Sequence, residues 1–433
     1  MKRSSWILTL FLLVGMALPA AAQQNIIVRD KLGLSGLQTV CRLLNCKISL
    51  SLGDPAGQLF LVSSPKLLNL NTFVALLLGQ VGVVDAEVDQ NLFLISATAG
   101  PIPESLYDST PLSYYGTPVW NGYVNQPASQ IVHVAAAQRS FHVTGAGLVA
   151  LIDTGVDTNH PTLQPVLVSG YNFIDNTPTG DEKSDLSQSS AAVLDGGGPG
   201  QPTYVNQYTV AALSQSSAAV LDGGSYSDFG HGTMTAGLVH LVAPTAQIMP
   251  LKAFAADGSG YVSNIIRAVY YAVGHGGKVI SMSFSFSPGS NEMGKAISYA
   301  NSKNVICVAA VGNNGEDVVM YPAAYPSVMG VASTSDFDTR STFSNYGSDV
   351  WVAAPGEGVV STYPYGTFAA GWGTSFSTPL VSGTAALLVD VSAQVNAKSA
   401  AAAIAHAKRL SSDMGNGRLN VYNAVQAWSA AAK

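Results

Sequence analysis

Charge is what this sequence has least of. Lys and Arg number 20, Asp and Glu 26, and together they make up 11% of 433 residues, under half the usual share. That scarcity excludes a disordered polyelectrolyte. A net charge of −6 offers nucleic-acid phosphates no general attraction. Three cysteines cannot build a disulfide framework. The 43 glycines and 21 prolines follow no period, which excludes collagen. Beyond Ala22 no segment offers about 18 uninterrupted apolar residues, so no stable membrane anchor is expected. Apolar side chains, by contrast, make up 47% of the chain, enough for two or three domains with large buried cores.

The first residues read as an export signal. Lys2 and Arg3 give a basic start, Trp6 to Met16 an apolar stretch, and Ala20-Ala21-Ala22 a small-residue cleavage site. Pro19 and the short apolar core argue against a membrane anchor. Residues 1–22 are thus expected to be a signal peptide, and the protein to be secreted, extracellular or periplasmic.

Residues 23–100 read as a compact β-α-β-β-α-β unit, a small α+β ferredoxin-like sandwich. Ile26 to Val28 suggest a strand, and Leu37, Val40, Leu43 and Leu44 a helical stripe. Lys47 to Leu52 and Gln58 to Val62 suggest paired strands, Thr72 to Leu78 a helix, and Val84 to Val88 with Leu92 to Ile95 the closing strands. Cys41 and Cys46 can pair in an oxidising compartment, buried thiols being the favoured reading. Residues 101–125, rich in Pro, Tyr, Ser and Gly, read as a linker.

From residue 126 to 433 apolar runs alternate with helical stripes. Gly147 to Ile152, Lys278 to Met282, Asn304 to Val308, Val328 to Ala332 and Asp349 to Ala353 suit strands buried on both faces. The pattern predicts an α/β, doubly wound, mainly parallel sheet. The segment Leu186 to Gly197 recurs letter for letter at Leu213 to Gly224. Two copies are too few for a solenoid, and residues 180–226 read as a surface insertion, a spacer rather than a flap over the substrate.

Chemistry gathers where strands end and helices begin. The first long parallel-type strand runs into Asp153-Thr154-Gly155, at the end where doubly wound sheets place their sites. His231 stands between Gly230 and Gly232 at a helix start. Ser375 opens a second small-residue helix, where free N–H groups and the dipole lie beside it. A serine hydroxyl needs a neighbouring base, and that base a group to fix its tautomer. Asp153, His231 and Ser375 supply those roles, in the chain order Asp, His, Ser.

That order and the flanking residues resemble the subtilisin-like serine peptidases over about Gln130 to Trp428. Ala150 to Asp157 with His160-Pro161 resembles the family's aspartate motif, His231 to Gly237 its histidine motif, and Gly373 to Pro379 its serine motif. Val308 to Asn313 resembles the oxyanion segment, and Val242-Ala243-Pro244 and Ala354-Pro355-Gly356 are further landmarks. Met234, Leu380 and Phe376-Ser377 depart from the usual residues, none at a position that transfers a proton.

The resemblance implies a serine endopeptidase with Asp153, His231 and Ser375 as triad and Asn313 as oxyanion donor. It implies an edge strand at Ser281 to Ser285 for extended substrate, with Ser283, Phe284, Ser285, Ala310 and Gly312 as substrate-binding residues. Small or apolar Ala309, Ala310 and Val311 and neutral Asn314 argue for broad apolar specificity. Asp157, His160 and Asp228 read as support for the motifs, and Cys307 as inert core. Protein or peptide substrates, a monomer, and a prodomain at 23–100 serving as intramolecular chaperone and inhibitor are expected; nucleic acid is not. No cofactor is expected either. Thr162 replaces a calcium-binding aspartate, and Leu238 to Leu241 is too short for the usual calcium loop. Calcium stays open at Asp175, Asp181, Glu182 and Asp185, where a solvated polar loop is the favoured reading. The alternative reading is a non-catalytic exported peptide-binding protein that keeps the fold.

Overall fold

The computed structural model describes residues 24–66, 68–186, 202–206, 210–213 and 226–432. The expected signal peptide and most of both repeat copies lie outside the described residues. The chain divides into two units, one running to residue 51 and including 58–88, the other comprising 52–57 and 89–433.

The N-terminal unit follows the expected order: β1 (Asn25–Asp30), α1 (Gly33–Leu44), β2 (Lys47–Ser51), β3 (Leu59–Ser63), α2 (Leu70–Leu78) and β4 (Val83–Val88). Its sheet order is β2-β3-β1-β4, with every pairing antiparallel. Alternate strand residues Ile26, Val28, Phe60 and Val62 meet Leu37 of α1 and Phe73 and Leu77 of α2 in one core. Asn69 caps α2 by accepting from the Asn71 and Thr72 N–H groups. Cys41 and Cys46 form a disulfide, which corrects the favoured expectation of free thiols. The cause is local: Asn45 takes the left-handed conformation (φ 53°) at the end of α1. The chain then doubles back, and the Cys46 N–H reaches the Cys41 carbonyl at 3.0 Å.

The second unit opens with β5 (Asn91–Phe93), then β6 (Pro111–Tyr114), β7 (Thr117–Trp120) and the short helices α3 (Asn121–Val124), α4 (Pro127–Ile131) and α5 (Val134–Phe141). Two expectations are corrected here. Residues 92–95 do not close the first sheet; β5 belongs to the second unit. Residues 101–125 are no linker either, because Leu106, Tyr114, Val119 and Tyr123 are buried in the main core. These side chains follow no helical or strand period, so composition alone hid them.

The main sheet contains β8 (Leu148–Asp153), β9 (Tyr171–Asn172), β12 (Gln247–Lys252), β14 (Val279–Met282), β15 (Ile306–Ala310), β16 (Val328–Thr334) and β17 (Val352–Pro355). Its seven strands are all parallel, in the order β17-β16-β15-β14-β8-β12-β9. Between the strands run α6 (His231–Val242), α7 (Val262–Gly274) and α8 (Asn291–Ser302), and after them α9 (Thr374–Val391), α10 (Ala397–Ile404) and α11 (Val421–Ala431). This is a doubly wound α/β unit. Helices α6 and α9 are buried almost all round, as their small, apolar residues require.

A second sheet has the order β10-β11-β19-β18, from β10 (Pro202–Asn206), β11 (Val210–Leu213), β18 (Val359–Tyr363) and β19 (Thr367–Gly371). Part of the expected spacer therefore extends a sheet: Val210 to Ala212 pair with Gly371 to Ala369, just ahead of α9.

Candidate active site

The order of the main sheet reverses around β8. From β8 the chain reaches β12 and β9 on one side and β14 to β17 on the other. Ligand crevices form at the carboxyl ends of strands at such a reversal. Asp153 is the last residue of β8 and only 1% exposed. Its Oδ1 accepts from the Thr154 N–H (2.8 Å) and lies 2.6 Å from His231 Nδ1; its Oδ2 accepts from Thr235 Oγ1 at 3.0 Å.

His231 is the first residue of α6, behind Gly230 at φ 90°. The helix start is pressed against the loop after Asp153. A Cβ on Gly232 would stand 1.9 Å from the Gly155 carbonyl oxygen, so only glycine lets the two backbones approach. Burial lowers the pKa of His231, but the charge and hydrogen bond of Asp153, with the charges of Asp228 and Glu182, outweigh it and leave the pKa above the ordinary value.

Ser375 is the second residue of α9 and 8% exposed. Its hydroxyl donates to the Ser283 carbonyl at 2.9 Å, not to His231. The imidazole is nevertheless at hand, its ring centre 5.7 Å from that of Phe376. Such contacts often tighten only when substrate is bound.

Asn313 lies beyond the end of β15. Its Oδ1 accepts from both the N–H and the hydroxyl of Thr374, each at 2.9 Å. With the oxygen so fixed, the amide nitrogen turns outward, and it donates to the carbonyl of Ile95 at 2.6 Å. A backbone carbonyl of the second unit's own leading segment thus rests on this side chain.

Comparison with known proteins identifies the family. A family model described as the subtilase family matches residues 145–422, well over half of the chain. This chain belongs to the subtilase family. Thermitase of Thermoactinomyces vulgaris is 35% identical over 64% of this chain and 88% of its own. Subtilisin BL of Lederbergia lenta is 33% identical over 59% of this chain and 80% of its own. The structure of fervidolysin from Fervidobacterium pennivorans has a TM-score of 0.70 at 21% identity, covering 93% of this chain and 61% of that one. That last likeness is one of fold. The subtilase is a serine endopeptidase, not the non-catalytic binding protein of the alternative reading.

Several residues of this subtilase sit otherwise than expected. Strand β14 ends at Met282 and is interior to the sheet, so Ser283, Phe284 and Ser285 follow the strand rather than form its edge. Phe284 is buried against Phe254, ring centres 4.9 Å apart. Ala310 is buried at the end of β15, and Gly312 turns the chain at φ 104°. Thr162 is buried, with its hydroxyl on the Pro118 carbonyl at 3.0 Å. Asp157 supports the aspartate motif through Lys183 Nζ at 2.6 Å and the Tyr365 N–H at 2.7 Å.

The expectation of a solvated polar loop holds for exposed Asp175 and is corrected at Glu182, with Asp181 and Asp185 half-buried. Glu182 is fully buried, and its carboxylate accepts from Thr154 Oγ1 (2.5 Å), the Gly230 N–H (2.7 Å), the Thr233 N–H (3.1 Å) and the Thr233 hydroxyl. Asp185 pairs with Lys252 at 3.2 Å, and the buried Lys252 Nζ donates to the Thr154 carbonyl at 2.6 Å. Asp181 accepts from the Lys183 N–H, and Asp175 from Asn172. Among the described residues no group of three or more His, Cys, Asp or Glu side chains is placed to hold a metal. The sequence pattern marked Glu182 only as part of a polar loop and did not mark Lys252. A lysine ending an otherwise apolar strand was the available signal, since a buried cation requires partners.

Proposed function

We propose that this endopeptidase works through Asp153, His231 and Ser375, with Asn313 as a side-chain oxyanion donor. One observation carries the reading: beside Ser375, the Asn313 amide is locked by Thr374 and donates to a peptide carbonyl. Ser375 Oγ attacks the scissile carbonyl while His231 takes its proton and later passes it to the leaving amine. Asp153 holds the imidazole by Nδ1 and stabilises its protonated form. The Asn313 amide and the Ser375 N–H receive the oxyanion. Water then releases the acyl group by the same steps in reverse.

The small and apolar side chains of Ala310 and Val311, at the end of β15 and just beyond it, support broad apolar specificity, with Ser283, Phe284, Ser285 and Gly312 along the substrate path. The protein is an exported precursor: residues 1–22 are its signal and the ferredoxin-like unit its prodomain, chaperone and inhibitor of the same chain. Casein hydrolysis by purified protein, blocked by a serine-directed covalent inhibitor and absent in Ser375→Ala, is the expected result. An active Ser375→Ala variant would remove the triad assignment.

A further inference from the structure

The geometry points to one peptide bond, Ile95–Ser96, as the bond this enzyme cuts first in its own chain. The inference rests on the assignment of Ser375 and Asn313 above and adds the register. Three features of the second unit carry it.

The first is strand addition. Asn91, Leu92 and Phe93 of β5 pair antiparallel with Tyr261, Gly260 and Ser259 of β13 (Ser259–Tyr261). The Val262 N–H donates to the Gln90 carbonyl (3.1 Å) and the Leu94 N–H to the Gly258 carbonyl (3.0 Å), so the added strand extends from Gln90 to Leu94. Upstream, the buried carboxylate of Asp89 accepts from the Ser263 N–H (2.9 Å) and hydroxyl (2.7 Å) at the start of α7. Main-chain pairing of this kind binds extended peptide to a sheet edge, with side chains alternating between pocket and solvent. Leu92 is 7% exposed and Phe93 59%, the alternation expected of a bound substrate strand.

The second feature is the carbonyl of Ile95, the next residue, which accepts from Asn313 Nδ2 at 2.6 Å. In acyl transfer the oxygen held by the oxyanion donor belongs to the carbonyl under attack. The register therefore selects Ile95 as the acyl residue and Ser96 as the leaving amine.

The third is that the chain continues, downstream of the bond, along the segment that leads into the nucleophile. A Cβ on Gly373, two residues before Ser375, would lie 3.7 Å from the Ala97 Cβ, and one on Gly100 would lie 3.0 Å from Trp372 Nε1. Residues downstream of the bond thus lie against the segment that leads into Ser375, while Ile95 upstream of it rests on Asn313. In the cut, Ser375 Oγ bonds to the Ile95 carbonyl carbon and the C–N bond to Ser96 breaks. The Ser375 proton passes through His231 to the new amine. One water then yields the Ile95 carboxylate and restores both side chains.

The mature chain accordingly begins at Ser96 and keeps residues 101–125 as a permanent part of the core. Tyr123 donates to the Gly237 carbonyl (2.7 Å), Tyr114 to the Leu241 carbonyl (2.6 Å), and Gln126 bonds Val360 in both directions.

The test is cell-free synthesis of the full chain, sampled from the earliest times, with N-terminal sequencing and mass of each fragment. The expected products are a fragment ending at Ile95 and one beginning at Ser96, with Ser375→Ala left joined. Ile95→Asp should slow this cut at least tenfold, while a circular dichroism spectrum matching that of the Ser375→Ala chain shows that it folds. A first cut anywhere within 97–125, absent from Ser375→Ala, would overturn the register and leave the nucleophile assignment standing. Equal cutting of Ser375→Ala, with a peptide covering residues 90–100 hydrolysed by that variant too, would overturn both.

Discussion

The Gly230 N–H donates to Glu182 Oε1 at 2.7 Å, which ties a buried carboxylate to the residue just before His231. The same oxygen accepts from Thr154 Oγ1, the neighbour of Asp153. Thr154 Oγ1 in turn accepts from the Gly232 N–H at 2.9 Å. Glu182 therefore spans the two backbone segments that present Asp153 and His231. Burial pushes its pKa up to about 7, against the hydrogen bonds of Thr154 and Thr233.

Glu182→Gln keeps the shape but turns an N–H₂ toward N–H and O–H donors. We expect kcat to fall by roughly ten- to a hundredfold, the larger figure being the scale for a misplacement near 1 Å, with KM little changed. The acid limb of kcat/KM should also move slightly to lower pH, because the charge that Glu182 carries above about pH 7, one of those that raise the His231 pKa, is gone. An unmoved limb with a lower melting temperature would mark Glu182 as purely structural.

The rate should fall as pH drops through the pKa of His231, since only neutral imidazole accepts the serine proton. That pKa lies above the ordinary value of about 6.5, with Asp153 the largest favourable cause. Asp153→Asn should lower kcat by about 10⁴, a figure taken from another serine protease, and shift the limb downward. A pH–rate profile from pH 5 to 10 checks both, on the order of one decade per unit below the limb.

Asn313→Ala removes a donor that meets full charge only in the transition state. The expected loss is about 10²–10³ in kcat with KM nearly constant; the magnitude was measured in a subtilisin and is carried over here. Steady-state kinetics on a peptide anilide decide it, and an unchanged kcat would free Asn313 of the role.

The Cys41–Cys46 disulfide closes a short loop, with a sequence separation of 5. Its loop-closure stabilisation is at most about 2 kcal/mol. The double change of Cys41 and Cys46 to Ser, made in the uncut Ser375→Ala chain, should lower the unfolding free energy of the N-terminal unit by no more than that. Denaturant unfolding followed by circular dichroism measures it.

Local signals made much of the protein legible. Apolar runs such as Leu148–Asp153 became fully buried parallel strands, and glycine flanks marked the helix starts at His231 and Ser375. The β-α-β-β-α-β order of the N-terminal unit followed from its alternating periods. These features are carried by a few neighbouring residues, so a linear reading captures them.

By itself, then, the sequence determined the family, the doubly wound sheet and which Asp, His, Ser and Asn stand at its strand and helix ends. Only the tertiary structure decided that Glu182 is buried among Thr154, Gly230 and Thr233 and Lys252 beside Asp185, that Cys41 meets Cys46, and that residues 101–125 enter the core. It alone set Ile95 on Asn313, across 218 residues of sequence. The physical reason is common to all of these. A carboxylate's partners, a carbonyl's donor and an irregular segment's burial depend on groups brought together by folding, and no local period or composition encodes which groups those are.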